Sequence, residues 1–63
     1  PNPNIYGKLY LSRQSDIRIY ALNGVLLEEE FQVMEVDLRG WASGVYILQD
    51  HKGQIQKLII QNQ

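Results

Sequence analysis

The stretch "DIRIYALNGVLLEEEFQVMEVDL", residues 16–38, alternates polar and apolar side chains at both of its ends. A period of two belongs to an extended strand, in which successive side chains point to opposite faces. In the first arm Ile17, Ile19 and Ala21 fall on one face. In the last, Met34, Val36 and Leu38 fall one way and Val33, Glu35 and Asp37 the other. Between two apolar runs sits Asn23-Gly24, the pair preferred by a type I′ turn because both of its central residues need positive φ. The stretch therefore predicts a β-hairpin with arms "DIRIYAL" and "VLLEEEF". Glu28-Glu29-Glu30 is the one place where helix competes, but the β-branched and aromatic residues around it, and the tight turn before it, favour strand.

Working outward, "KLYL" (residues 8–11) repeats the alternation, and "GWASGVYILQDHKGQIQKLII" (residues 40–60) reads as a small-residue corner, an apolar strand, a turn at His51-Lys52-Gly53 and a closing strand. Six or seven short strands without a helix predict an all-β domain, a small antiparallel immunoglobulin-like β-sandwich. Its expected core includes Ile17, Ile19, Met34, Val36, Leu38, Leu58 and Ile60, with Trp41 plugging one end. Gly44 and Gly53 are expected to hold the corner and the turn of the last hairpin, where a residue without a β-carbon is useful.

With 63 residues, residues 1–63 make a single domain. A chain of this size hides only about 60% of the surface its unfolded form would expose, so its core must be simple. Cysteine is absent, which suits several compartments and fixes none. The longest apolar runs, such as Gly24 to Leu27 and Leu58 to Ile60, are far too short to cross a membrane as a helix. A formal charge of -1, with Lys8, Arg13, Arg18, Arg39, Lys52 and Lys57 scattered singly, offers no basic stripe for a phosphate backbone, which argues against nucleic acid as a partner. The opening "PNPN" has neither an initiator Met nor a signal segment, and reads as a piece of something longer.

Candidate chemistry is sparse. His51 is the sole histidine; between Asp50 and Lys52 it reads as a solvated turn residue, and alone it cannot anchor a metal. Ser12, Ser15 and Ser43 lack a nucleophile's setting. Gly7-Lys8 is no P-loop without an upstream glycine and a following Ser or Thr. Glu28 to Glu30, on one strand, point alternately to two faces and do not converge on one ion. Tyr6, Tyr10, Tyr20, Tyr46 and Trp41 could form a stacking platform for sugars or bases, against which stands the ordinary preference of strands for aromatic residues. These readings predict no enzyme, no cofactor and no small-molecule substrate.

The order of the elements carries a resemblance. Pro1-Asn2-Pro3 opens the chain, Ile19-Tyr20-Ala21-Leu22-Asn23-Gly24 forms a hairpin, Asp37 to Tyr46 includes Gly44-Val45-Tyr46, and Lys57 precedes a final apolar triplet. In that order and spacing, residues 1 to about 61 resemble the type A C-terminal sorting domain of the type IX secretion system of Bacteroidota. Trp41 departs from the smaller aliphatic residue usual in the family, and only one Lys precedes the triplet. The resemblance implies a removable export address joined to an N-terminal cargo. It implies passage through the periplasm and the outer-membrane translocon to the cell surface, with shuttle and sortase components as partners. Candidate recognition residues are then Pro1, Asn2, Pro3, Gly24, Gly44, Val45, Tyr46 and Lys57. The competing expectation is an immunoglobulin-like accessory or adhesion module, carbohydrate-binding through its aromatic residues.

Overall fold

The computed structural model describes residues 4–5 and 7–62, and among these every regular element is a strand. There are five: β1 (Asn4–Ile5), β2 (Lys8–Ala21), β3 (Leu26–Asp37), β4 (Gly44–Asp50) and β5 (Ile55–Ile60). They form one sheet in the order β1-β5-β4-β2-β3. From β5 to β3 the sheet is antiparallel, and β1 joins β5 as a two-residue parallel strand. The described residues thus form an all-β domain of fewer strands than expected, because two of those strands are long.

Length forces these two strands to bend. Fourteen residues of straight strand would reach roughly 45 Å, whereas the molecule's longest dimension is 29 Å. The bend falls where pairing is interrupted: Tyr10 pairs with Glu35, and the next paired residues are Ser15 and Val33, so Leu11 to Gln14 of β2 lie across from Met34 alone. Opposite, β3 breaks at Gln32, which adopts a φ of 52°, rare for a residue with a side chain, and whose N–H donates to Asp16 Oδ1 at 2.8 Å. One half of the long hairpin, Ile17–Ala21 with Leu26–Glu30, lies beside β4. The other, Lys8–Tyr10 with Glu35–Asp37, is a flap paired, among the described residues, only to itself.

Between flap and sheet lies one core. Leu9 and Val36, directly opposite each other, come from the flap, Leu38 from the turn after it, and Ile17, Ile19, Leu48, Leu58 and Ile60 from the sheet. Such burial is worth about 1.5–3 kcal/mol per large aliphatic side chain. Five of the expected core residues in the long hairpin and last strand, Ile17, Ile19, Val36, Leu58 and Ile60, are buried, as is Leu38; Met34 is 52% exposed. The interruption in pairing between Tyr10–Glu35 and Ser15–Val33, which leaves Met34 alone on its strand, explains the exception. Val36 and, three residues earlier, Val33 both face the core, a spacing that unbroken alternation forbids, so Met34 between them turns to solvent. Val33, expected on the outer face, packs against the core instead.

Both tight hairpins share one loop geometry, which corrects the type I′ expectation. At the first, Gly24 N donates to Ala21 O and Ala21 N to Val25 O, both at 2.9 Å; at the second, Gly53 N donates to Asp50 O and Asp50 N to Gln54 O, both at 3.0 Å. Only the glycine of each loop has positive φ, 92° at Gly24 and 80° at Gly53, while Asn23 does not. A type I turn followed by a left-handed glycine is the three-residue solution to the same strand twist. Asn23 acts through its side chain, accepting from Val25 N at 3.1 Å. Gly44 needs no special backbone: its φ is not positive, and a β-carbon there would meet only Tyr46 Cε1 at 3.8 Å.

Candidate recognition surface

Register sorts the candidate residues by face. Directly opposed residues in adjacent strands share a side of the sheet, and Tyr46 opposes Leu58 while Leu48 opposes Ile19. Tyr46 and Leu48 therefore face the core. Val45 and Ile47, one step along, face outward with their partners Ile59 and Lys57, and Tyr20 extends the row as the other neighbour of Ile47. Arg18 and Gln49, paired to each other, follow on the same face. Lys57 is thus a solvent-exposed cation within a shallow apolar row of Val45, Ile47 and Ile59.

A polar ladder crosses this outer face at one end. Glu29 Oε2 accepts from Arg18 Nε at 2.6 Å, and Tyr20 donates its hydroxyl to Gln49 Oε1 at 3.3 Å. The ladder links β3, β2 and β4. Its ion pair is exposed, and such pairs are worth little in stability; their use is to set which side chains neighbour one another.

At the opposite end of these strands the structure gathers several candidates. Ala21 opposes Tyr46, so the loop carrying Gly24 overhangs the start of β4, where Gly44 opposes Ile60. Tyr46 itself is structural. Its ring meets Trp41 edge to face at a centroid distance of 5.4 Å and an interplanar angle of 69°, and its hydroxyl donates to Ala42 O at 2.7 Å. Both rings pack against the core cluster. Tyr20 lies on the other face, so Trp41, Tyr20 and Tyr46 do not share a flat platform. Pro1, Asn2, Pro3 and Tyr6 lie outside the described residues.

Three anchoring side chains escaped the sequence reading. Asn62 donates its amide to Trp41 O at 2.6 Å and Leu38 O at 3.1 Å, while its backbone and Ser43 exchange hydrogen bonds at 2.8 and 2.9 Å. The residues after β5 thereby hold the 38–43 corner. Asp37 accepts from Arg39 N, Nε and Nη2 at 3.0, 2.9 and 2.7 Å, which holds its carboxyl well below the usual carboxylate range. Asp50 Oδ1 takes the N–H groups of Lys52 and Gln54, both at 2.9 Å, inside the second loop. Each of the last two is a short polar side chain folding back on its own backbone, a local signal that Asp carries in turns.

His51 borders shallow depressions of about 310, 340 and 260 Å³ around Asp16, Asp50 and Gln32. Among the described residues no group of three or more His, Cys, Asp or Glu side chains is placed to hold a metal ion, and no helix is long and apolar enough to cross a membrane. Compared with known proteins, the chain matches no family model, no curated protein and no solved structure.

Proposed function

We propose that this chain is a type A C-terminal sorting domain, an export address carried behind a secreted cargo, read in its folded form by the type IX translocon and its shuttle, and removed by the sortase at the cell surface. Its fold in this reading is an immunoglobulin-like sandwich, the flap of β2 and β3 supplying part of a second layer over the core. One observation supports the function above the others. The last hairpin divides its residues between two tasks: Leu48, Leu58 and Ile60 close the core, while Val45, Ile47, Lys57 and Ile59 present an apolar row with one cation to solvent. A row of that composition suits docking against another protein's shaped surface.

Fusion of residues 1–63, with the original linker, to the C-terminus of a folded secreted reporter tests the proposal in a bacterium that has the type IX system. The reporter should reach the cell surface. Deleting Gln54 to Gln63 should abolish this, because β5 both carries Lys57 and completes the core. Lys57→Ala separates the two: the side chain is exposed, so the domain keeps its circular dichroism spectrum and melting temperature while surface labelling falls. Unchanged surface labelling after the ten-residue deletion, measured against a periplasmic control, refutes the proposal. The adhesion-module reading draws less from the structure, since the Trp41 and Tyr46 rings stand at 69° to each other.

A further inference from the structure

β3 lies at the edge of the sheet, paired only with β2 among the described residues. Alternate residues of such a strand direct N–H and C=O groups away from the sheet, which makes the edge a template for another extended chain. Leu27 and Phe31, the latter 65% exposed, flank its central triplet Glu28-Glu29-Glu30. The three glutamates are not equivalent. Glu29 opposes Arg18 and is bonded to it on the outer face. Glu28 and Glu30 oppose Ile19 and Ile17, so they project on the core side of the sheet, half-buried at its rim.

Charge balance along the strand breaks at these two residues. Glu35 is paired with Lys8 at 3.3 Å, Glu29 with Arg18 at 2.6 Å and Asp37 with Arg39 at 2.7 Å. No ion pair among the described residues includes Glu28 or Glu30. Desolvation, reinforced by the neighbouring Glu28 carboxylate, raises the Glu30 pKa above its ordinary value. Two half-buried carboxylates, one residue apart on one face of an open edge, lack a positive counterpart that an added strand could bring.

We infer that the β3 edge takes up an extended peptide by strand addition, and that the peptide it fits carries Lys or Arg at two positions one residue apart, opposite Glu28 and Glu30, with apolar residues just outside them opposite Leu27 and Phe31. Directly opposed side chains stand about 4.5–5.5 Å apart at their β-carbons, close enough for both cations to meet the carboxylates. A second copy of this chain fits badly. Antiparallel β3 strands centred on Glu29 would set Glu28 against Glu30 and Glu29 against itself, and like charges directly opposed are destabilising. Acidic peptides are refused on the same ground, so the glutamates select the partner as well as attract it. The inference stands apart from the export reading, and its test uses no secretion.

The probe is a blocked, fluorescein-labelled nonapeptide of alternating valine and threonine with lysine at two central positions one residue apart, titrated with the 63-residue chain and followed by anisotropy. Saturable binding is expected, weakened about tenfold or more when the two lysines are replaced by glutamates, the scale of like-charge juxtaposition at an interface. Glu28→Lys with Glu30→Lys should reverse the preference, binding the glutamate peptide and refusing the lysine one. Should that double variant fail to fold, Glu28→Gln with Glu30→Gln, nearly isosteric, should lose the preference without reversing it. Amide shifts on binding should centre on Leu26 to Phe31. Equal binding of both peptides, absence of saturable binding, shifts confined to β4 and β5, or a β3-mediated dimer that excludes the peptide would each overturn the inference.

Discussion

At the scale of single residues, the two glycines expected to frame the last hairpin separate. Gly53 has a φ of 80°, a region where a β-carbon crowds the backbone, and no neighbour lies within 4 Å of where that carbon would stand. The strain is therefore conformational alone. Gly53→Val should lower stability by on the order of 1 kcal/mol or more. At Gly44, φ is ordinary and a β-carbon would make only van der Waals contact with the Tyr46 ring. Gly44→Ala should stay within about 0.5 kcal/mol of the parent, or gain slightly by restricting the unfolded chain. Chemical denaturation of both variants checks this, and equal losses at the two positions would refute it. The turn glycine was legible because its flanking residues are turn formers. Gly44 misled because "ASG" looks like a corner, whereas the corner is held by Asn62 and Ser43 from a distance of some twenty residues, a relation that no local pattern reveals.

The same contrast operates in whole strands. Alternation identified the buried face correctly where the ladder is regular, as in Ile17 and Ile19 of β2 and in Leu58 and Ile60 of β5. It failed at Met34 because β3 changes phase there, and the cause, a register shift that sets Met34 alone against Leu11 to Gln14 of β2, depends on two segments far apart in the chain. Leu48 went unnamed for a different reason: "VYIL" is apolar on both faces, so period alone cannot tell inside from outside. The bend of β2 is likewise a consequence of register shifts, which emerge only when two strands are laid together. These phases are testable within one element. Met34→Ala removes a side chain that is half in solvent and should change stability by no more than about 0.5 kcal/mol. Val36→Ala, two residues along, removes two buried methyl groups from opposite Leu9 and should cost roughly 2 kcal/mol. In a domain whose total stability is about 3–9 kcal/mol by its length, that is a large fraction. Comparable losses for the two would restore unbroken alternation and contradict the bulge.

For the molecule as a whole, the candidate site was legible only as a row of residue types. Lys57 and Val45 were recognisable as candidates, but their placement on one outer face, and the exclusion of Tyr46 from it, required the register of three strands. The open β3 edge was not legible at all, since strand order is a property of the assembled sheet. Its electrostatics give a prediction for the entire fold. Because the Glu30 pKa is raised in the folded state by desolvation and by Glu28, folding binds that proton more tightly than the unfolded chain does. Stability from this group is present at acid pH and is lost as pH rises from the ordinary glutamate value through the raised one. Asp37 works in the opposite sense: held low by Arg39, it supports the fold above the ordinary aspartate value and loses that support as pH falls toward its folded pKa. Glu30→Gln keeps size and removes the first effect alone. The variant should melt higher than the parent at pH 7, by an amount equivalent to about 0.2–1 kcal/mol, the scale of exposed like-charge neighbours, and the gain should vanish near pH 3.5, where the parent's carboxyl is protonated in both states. Melting curves across that range decide it; a gain that is constant with pH would mean that the carboxylate charge is not the cause. A stabilising substitution that at the same time weakens capture of the lysine peptide would show that the same carboxylate costs the fold stability and holds the peptide.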